Sequence, residues 1–423
     1  MEDRRGTLSQ VVFSVLRKLC FAACLGLLAG SVLAAERPTK LADNSRYLPS
    51  PDALIAQTLE AIRASRLDDA LKEVDKVIAI RPDFKLAHLI KGDLLLARSK
   101  PLPTLGAASV RGAEQPLSDL REEARLRLMR YLDQPGADLL PKNLLQLAAE
   151  QKYVLLADAS RARLYLFENV NGEPRLRRDY YLTIGRNGTD KRSEGDKRTP
   201  IGVYSLTGEL PRDKLADLYG DGAFPISYPN EWDQVQGRSG HGIWLHGTPS
   251  NTYNRAPRAS DGCLVLTNPD LNELGQWVKP GTPIVITERV EWLEHKAWSD
   301  YRQAMLDELA QWRSDWESRN VEQFLRHYSS SFLQGAGRTW AEGKRRNLSD
   351  KTWIRVALSD ASLYLYRFGD EDLAVTTFQQ DYASDKFTDA SRKRLYLRLE
   401  DKEWRIALEK TIDGEKRIAA LTR

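Results

Sequence analysis

The spacing of apolar residues changes character along the chain, and this alone confines the fold to several units. Over residues 52–98 the apolar positions recur every three or four residues. They run Leu54, Ile55, Leu59 and Ile62, then Ala70, Leu71, Val74, Val77 and Ile78, then Leu86, Leu89, Ile90 and Leu94. Such stripes are the buried faces of amphipathic helices. Breaks at Arg66-Leu67-Asp68 and Arg81-Pro82-Asp83 separate three of them. From Tyr153 the period falls to two, as half-buried strands require. Residues 153–158 and 163–168 alternate around Ala159-Ser160 and predict a hairpin. Residues 290–332 return to a helical pattern rich in tryptophan (Trp292, Trp298, Trp312, Trp316). Strands are then expected at 353–358, 362–368, 374–382, 393–400 and 403–410. A chain of 423 residues can bury two or three cores. The expected class is multidomain α+β: an N-terminal helical module with its linker over 36–150, a strand-rich unit over 151–288, and a helix followed by an α+β unit over 289–423.

Between these blocks, residues 99–116 hold Pro101, Pro103, Gly106, Gly112 and Pro116 and read as a linker. A charged helix is expected over 118–132, with Leu120, Ala124, Leu128 and Tyr131 on one face. Short helices are expected over 141–150 and 274–278, and a closing strand over 283–287. Residues 1–35 read as an export signal. Arg4, Arg5, Arg17 and Lys18 precede an apolar run that ends in Val32-Leu33-Ala34. An uncleaved membrane anchor is the alternative, because the run is about as long as the shortest spanning helix. Cys20 and Cys24 lie inside the signal, so cleavage would leave Cys263 as a single thiol without an intramolecular disulfide partner. With 63 basic and 59 acidic residues the formal charge is +4, which argues against a dedicated nucleic-acid binder.

One stretch concentrates the chemistry: His241-Gly-Ile-Trp-Leu-His246-Gly247-Thr-Pro, followed by Ser260-Asp261-Gly262-Cys263-Leu264. A cysteine attacks as its thiolate, so it needs a base nearby and donors aimed at the oxyanion. His246 can supply the base. Gly262 lets the backbone turn sharply and bring the Cys263 N–H to a substrate carbonyl. Residues 242–245 and 264–266 read as short buried strands, with 247–259 a surface loop between them. Upstream lies Gly195-Asp196-Lys-Arg198-Thr-Pro-Ile-Gly202. An aromatic, turn-rich segment over 219–230, which includes Tyr228, is expected beside the substrate groove. The five histidines lack metal-ligand spacing, so no metal and no cofactor is expected.

The two motifs resemble those of the L,D-transpeptidase (YkuD-type) family. Its pattern is a His-Gly, a loop and Ser-(His/Asn/Asp)-Gly-Cys, with Gly-Asp-x-Arg-Thr-Pro-x-Gly upstream. The resemblance covers residues 152–288, and it implies a twisted sheet packed as a sandwich with the catalytic loop at one rim. It implies Cys263 as nucleophile and His246 as general base. The Gly247 carbonyl would orient the imidazole, and the Gly262 and Cys263 N–H groups would form an oxyanion hole. The implied substrate is a peptidoglycan stem peptide, attacked between meso-diaminopimelate and the terminal D-alanine through a thioacyl-enzyme. An amine acceptor would make the protein a transpeptidase, the primary expectation. Water would make it an L,D-carboxypeptidase, and a degenerate site would leave a cell-wall binding scaffold. Substrate contacts are expected from Ser260, Asp261, Arg198, Arg258, Tyr228 and His241. Arg186, Lys191, Arg192 and Arg255 are further cations that could clamp its carboxylates. Two positions depart from the family pattern. Val265 stands where many members carry an arginine, and Asp261 replaces the commoner His or Asn.

Residues 300–423 resemble the nuclear-transport-factor-like cone, through Trp312, Trp316, Phe324 and Tyr328 and then Phe378 and Tyr382. That fold hosts enzymes and binding modules alike. His327, beside Tyr328, reads as a structural histidine. Ala70 and Pro82 give the helical module a resemblance to one tetratricopeptide unit, and a single unit is expected to pack on a neighbour rather than to bind peptides. The combination resembles the cell-shape L,D-carboxypeptidases of helical Gram-negative bacteria and their transpeptidase relatives. Expected partners are stem peptides, a second copy of the chain through the helical module, and a cell-wall protein; no nucleic acid is expected. The expected location is the periplasm.

Overall fold

A computed structural model describes residues 50–107, 114–335 and 337–412. The export segment, with Cys20 and Cys24, lies outside the described residues. Among the described residues no helix is long and apolar enough to cross a membrane.

The helical module comprises α1 (Pro51–Arg63), α2 (Leu67–Ile80), α3 (Lys85–Ala97) and α4 (Glu114–Leu132). Pro51 occupies the first turn of α1, and Ser50 Oγ caps it by accepting the Ala53 N–H. The predicted stripes meet in one core of Leu54, Ile55, Ala70, Val74, Val77, Leu86 and Ile90, all buried. α4 differs from its expected face. Glu123 and Arg127 are buried on it, whereas Leu128 and Tyr131 are only half-buried.

The short helix expected over 141–150 is instead two strands, β1 (Leu139–Pro141) and β2 (Leu144–Gln146). Tertiary pairing overrides local preference here. β1 pairs with Trp292–Glu294 and β2 with Ile354–Phe368, both distant in sequence.

The next unit holds β3 (Tyr153–Asp158), β4 (Arg163–Val170), β5 (Glu173–Tyr181), β6 (Ile184–Gly185), β7 (Gly202–Ser205), β8 (Leu210–Pro211), β9 (Gly222–Pro225), α5 (Glu231–Val235), β10 (Trp244–His246), β11 (Arg258–Ser260), β12 (Leu264–Val265), α6 (Asn268–Gly275) and β13 (Pro283–Thr287). The predicted β3–β4 hairpin is present, antiparallel from Tyr153↔Glu168 to Asp158↔Arg163. The strands form a five-stranded sheet, β5-β4-β3-β13-β7, and a four-stranded sheet, β12-β10-β9-β8. Leu155, Leu166 and Ile284 of the first sheet share a core with Phe224, Leu245 and Leu264 of the second, giving the sandwich-like packing. β3 is buried on both faces, because Val154 and Leu156 pack on a second cluster with Leu144 and Tyr364. The helix expected over 274–278 starts earlier, since Thr267 Oγ1 accepts the Asp270 N–H and caps α6.

The C-terminal unit holds β14 (Trp292–Glu294), α7 (His295–Ser318), α8 (Val321–Arg326), α9 (Ser330–Gln334), α10 (Arg338–Ser349), β15 (Ile354–Phe368), β16 (Glu371–Ser384), β17 (Thr388–Glu400) and β18 (Glu403–Thr411). The sheet runs β18-β17-β16-β15-β2, so β2 completes it from far upstream. The helices cover one face through Trp298, Trp312, Trp316 and Phe324, which pack on Phe378 of β16 and its neighbours. The strands expected at 353–358 and 362–368 are one strand, bulged between Ser359 and Ser362. Trp292 leaves the predicted helix for β14, where it packs on Tyr165 and Phe167.

Candidate active site

β10 and β12 lie parallel, with Leu245 opposite Leu264 and His246 opposite Val265. Both leucines are fully buried in the shared core. Because side chains alternate, Trp244 and His246 point to the other face, as do Val265 and Cys263, one step before the strand. The histidine and the cysteine are thus delivered to the same side of adjacent strands.

The backbone around Cys263 is held by its neighbours. Ser260 Oγ donates to the Cys263 carbonyl at 2.6 Å and accepts the Gly262 N–H at 3.1 Å. Thr199 Oγ1 donates to the Gly262 carbonyl and accepts the Gly185 N–H, both at 2.9 Å. Gly262 has φ +124°, and a Cβ there would fall 2.7 Å from the Arg198 carbonyl oxygen, so only glycine fits. The upstream motif is therefore brought against the Cys263 loop. Asp196 organises that motif. Burial raises its carboxyl, but the N–H groups of Arg192, Ser193 and Arg198 and the Lys191 ammonium outweigh burial and hold it at about 2.

His246 Nδ1 lies 2.7 Å from the Gly247 carbonyl oxygen. A carbonyl can only accept, so Nδ1 carries the hydrogen and Nε2 keeps its lone pair. The residue is 3% exposed, with the Tyr219 ring edge-on at 5.1 Å. Burial pushes the imidazole down to about 4. The Gly247 bond opposes that shift, and the charge of Arg255 adds to it. Burial also pushes the Cys263 thiol up, against the Trp244 N–H and the Arg255 charge. The thiol donates a long bond, 3.5 Å, to the Gly242 carbonyl. Both shifts favour the uncharged forms, so the resting pair is a neutral thiol and a neutral imidazole.

A pH dependence follows. Catalysis by a neutral His246 should hold from pH 7 down to about 4 and fall below that, in a kcat/KM profile. A limb at the ordinary histidine value of 6.5 would contradict it. The same shift bears on folding. The folded pKa lies below the unfolded one, so the unfolded chain binds more protons between them. The contribution is full above pH 6.5 and declines as pH falls to about 4, by roughly 3 kcal/mol. Denaturant melts at pH 7 and 4.5 would register it.

The structure disposes the remaining expected residues differently. Ser260 is buried and spends its hydroxyl on the loop, so it does not face a substrate. Gly262 gives its N–H to Ser260 Oγ. Tyr228 is buried in the core and donates to the Ser239 carbonyl at 3.0 Å, a structural position rather than a groove wall. Arg198 is half-buried and donates to the Thr189 carbonyl at 2.8 Å. Arg258 is exposed on β11 and its charge bears on Glu122 of α4. His241 is exposed and its Nδ1 lies 3.8 Å from a Glu194 carboxylate oxygen. Asp261, its side chain 72% exposed, pairs with Arg186 at 2.8 Å. At Gly247 a Cβ would meet Asn268 Oδ1, so a larger residue there would displace that side chain. Asn268 itself was not anticipated. Its Oδ1 accepts the N–H groups of Asp221 and Thr248, each at 3.1 Å, and its Nδ2 donates to the Thr248 carbonyl at 2.9 Å. It thereby anchors the chain leaving His246; its position just after the capping Thr267 is the only sequence signal. Among the described residues no three His, Cys, Asp or Glu side chains gather as a metal site.

Two stretches of the chain match known protein families. Residues 152–286 match the L,D-transpeptidase catalytic domain (YkuD), and residues 304–410 match the Cds6 C-terminal NTF2-like domain. The structure of Bd1075 from Bdellovibrio bacteriovorus is similar over 66% of this chain and 100% of its own, at 29% identity and a TM-score of 0.58. The helical cell shape determining protein Pgp2 from Campylobacter jejuni is similar over 64% of this chain and 95% of its own, at 23% identity and a TM-score of 0.54. No curated protein matches the chain. The chain carries, in order, an L,D-transpeptidase (YkuD) catalytic domain and a Cds6-type C-terminal NTF2-like domain.

Proposed function

We propose that the protein is a cysteine-dependent L,D-transpeptidase acting on peptidoglycan stem peptides outside the cytoplasm. The observation that carries this reading is the pairing of β10 with β12. It sets Cys263 on the same face as His246, whose Nδ1–H is fixed by the Gly247 carbonyl. Nε2 of His246 takes the thiol proton as Sγ attacks the carbonyl at the L-centre of meso-diaminopimelate. The oxyanion forms against the Cys263 N–H. Collapse breaks the peptide bond; Nε2 returns the proton to the departing D-alanine amine, and a thioester remains. An amine of a second stem then attacks the thioester, giving up a proton as the Cys263 thiol is restored and a cross-link is made.

A second reading is hydrolysis, with water as the acceptor. The exposed Asp261 beside the thiol favours it, since a polar side chain there keeps water close to the thioester. Mass spectrometry of tetrapeptide muropeptides incubated with the protein separates the two. Cross-linked dimers or D-amino-acid exchange are expected for the transpeptidase. Tripeptides alone would make the protein a carboxypeptidase, and unchanged tetrapeptides would favour a cell-wall binding scaffold.

A further inference from the structure

One family match begins at residue 152 and the other at residue 304, so the helical module is covered by neither. Yet the module reaches the catalytic loop. Tyr253, in the loop between His246 and Cys263, is buried in the core of the module. Its ring lies 4.9 Å from that of Phe84, with the Arg81 guanidinium 5.1 Å above it. The next residue, Asn254, donates its Nδ2 to Glu123 of α4. Glu123 is itself paired with Arg127 at 2.9 Å. Arg127 pairs in turn with Asp52 of α1 and lies 4.0 Å over the ring of Tyr181, at the end of β5. A second tie joins Arg130 to Asp179 of β5 at 2.8 Å. Buried pairs of this kind cost much when broken singly, so they fix geometry.

The loop is pinned again one residue later. Thr183 Oγ1 donates to the carbonyls of Arg255 and Ala256, at 3.2 and 2.9 Å. The Thr183 backbone exchanges two 2.9 Å hydrogen bonds with Val265, two residues after the nucleophile. Arg255 is therefore held between the module on one side and the nucleophile strand on the other. Its charge bears on Cys263, His246 and Asp261. The neighbouring cations are engaged: Arg186 with Asp261, Arg192 with Asp190, Lys191 with Asp196 and Arg198 with the Thr189 carbonyl. The half-buried Arg255 side chain makes no hydrogen bond or ion pair with another described residue.

We propose that Arg255 reads a carboxylate of the peptide substrate beside Cys263, and that the helical module, through Tyr253 and Asn254, is the element that positions it. This rests on the stem-peptide reading above. A guanidinium binds a carboxylate through two parallel hydrogen bonds, which lysine cannot reproduce. The carboxylate is either that of the terminal D-alanine or that on the diaminopimelate side chain.

The test uses the full chain and three tetrapeptide stems: the free acid, the C-terminal amide and the side-chain amide. In wild type the free acid should be preferred over one amide. Arg255→Ala should raise KM for the free acid by roughly 10- to 100-fold and leave that amide little changed, identifying which carboxylate is read. Arg255→Lys should recover part of the loss. Asn254→Ala should move the free-acid to amide ratio in the same direction, by a few-fold, with kcat retained. Calorimetric binding of the same stems to Cys263→Ala, with and without Arg255→Ala, reads the contact without turnover. Arg255-dependent binding without turnover in the parent protein would sink the transpeptidase reading and keep this one. An unchanged ratio in Arg255→Ala would overturn the carboxylate contact, and an unchanged ratio in Asn254→Ala would overturn the positioning by the module.

Discussion

Cys263→Ala is expected to reduce turnover of tetrapeptide stems to background, a loss of at least about 10^4-fold, while the protein stays folded. No other residue can replace the nucleophile, because Cys263 is the one free cysteine of the described chain. The fold should survive because the loop does not lean on the thiol. Its backbone is held by Ser260 and Thr199, and its turn by Gly262. The sulfur itself makes only weak contacts, the long bond to the Gly242 carbonyl and one from the Trp244 N–H. A stability change below about 1 kcal/mol is expected from denaturant melts. Residual turnover within tenfold of wild type would mean that the chemistry lies elsewhere.

His246→Gln carries the second large effect. Glutamine is close to histidine in size, and its amide can donate to the Gly247 carbonyl in place of Nδ1–H. It has no nitrogen that accepts a proton at neutral pH. We expect kcat/KM to fall about 10^2- to 10^4-fold, the usual range for a lost general base. The variant also separates two forms of the pair. With a neutral thiol at rest, alkylation by iodoacetamide should follow one thiol ionisation above the ordinary range, little altered by His246→Gln. A rate plateau persisting below pH 6 in wild type, and lost in the variant, would instead indicate a standing thiolate–imidazolium pair.

The chemistry was legible in the sequence wherever geometry permits only one residue type. Gly262 is such a position, since its φ of +124° and the backbone carbonyl of Arg198 leave no room for a Cβ. The helical stripes and the β3–β4 hairpin were legible because their period is local. What escaped depends on partners distant in the chain. Residues 141–150 contain helix-compatible residues, yet β1 and β2 are drawn into strands by Trp292–Glu294 and Ile354–Phe368. Glu123 and Arg127, four apart on α4, look like a solvated pair. Their burial becomes intelligible only with Asp52, Asn254 and Tyr181 around them. Ser260 and Tyr228 stand in or near the motifs, and each turns its hydroxyl inward to hold backbone. Motif membership thus says which residues lie close together, but not which of their polar side chains face outward.

The most direct measurement is intact-protein mass spectrometry of the protein after incubation with a carbapenem-type acylating agent or a tetrapeptide stem, followed by peptide mapping. The account predicts one covalent acyl adduct, carried by the peptide containing Cys263 and absent from Cys263→Ala. An adduct on any other residue, or equal labelling of the variant, would contradict it.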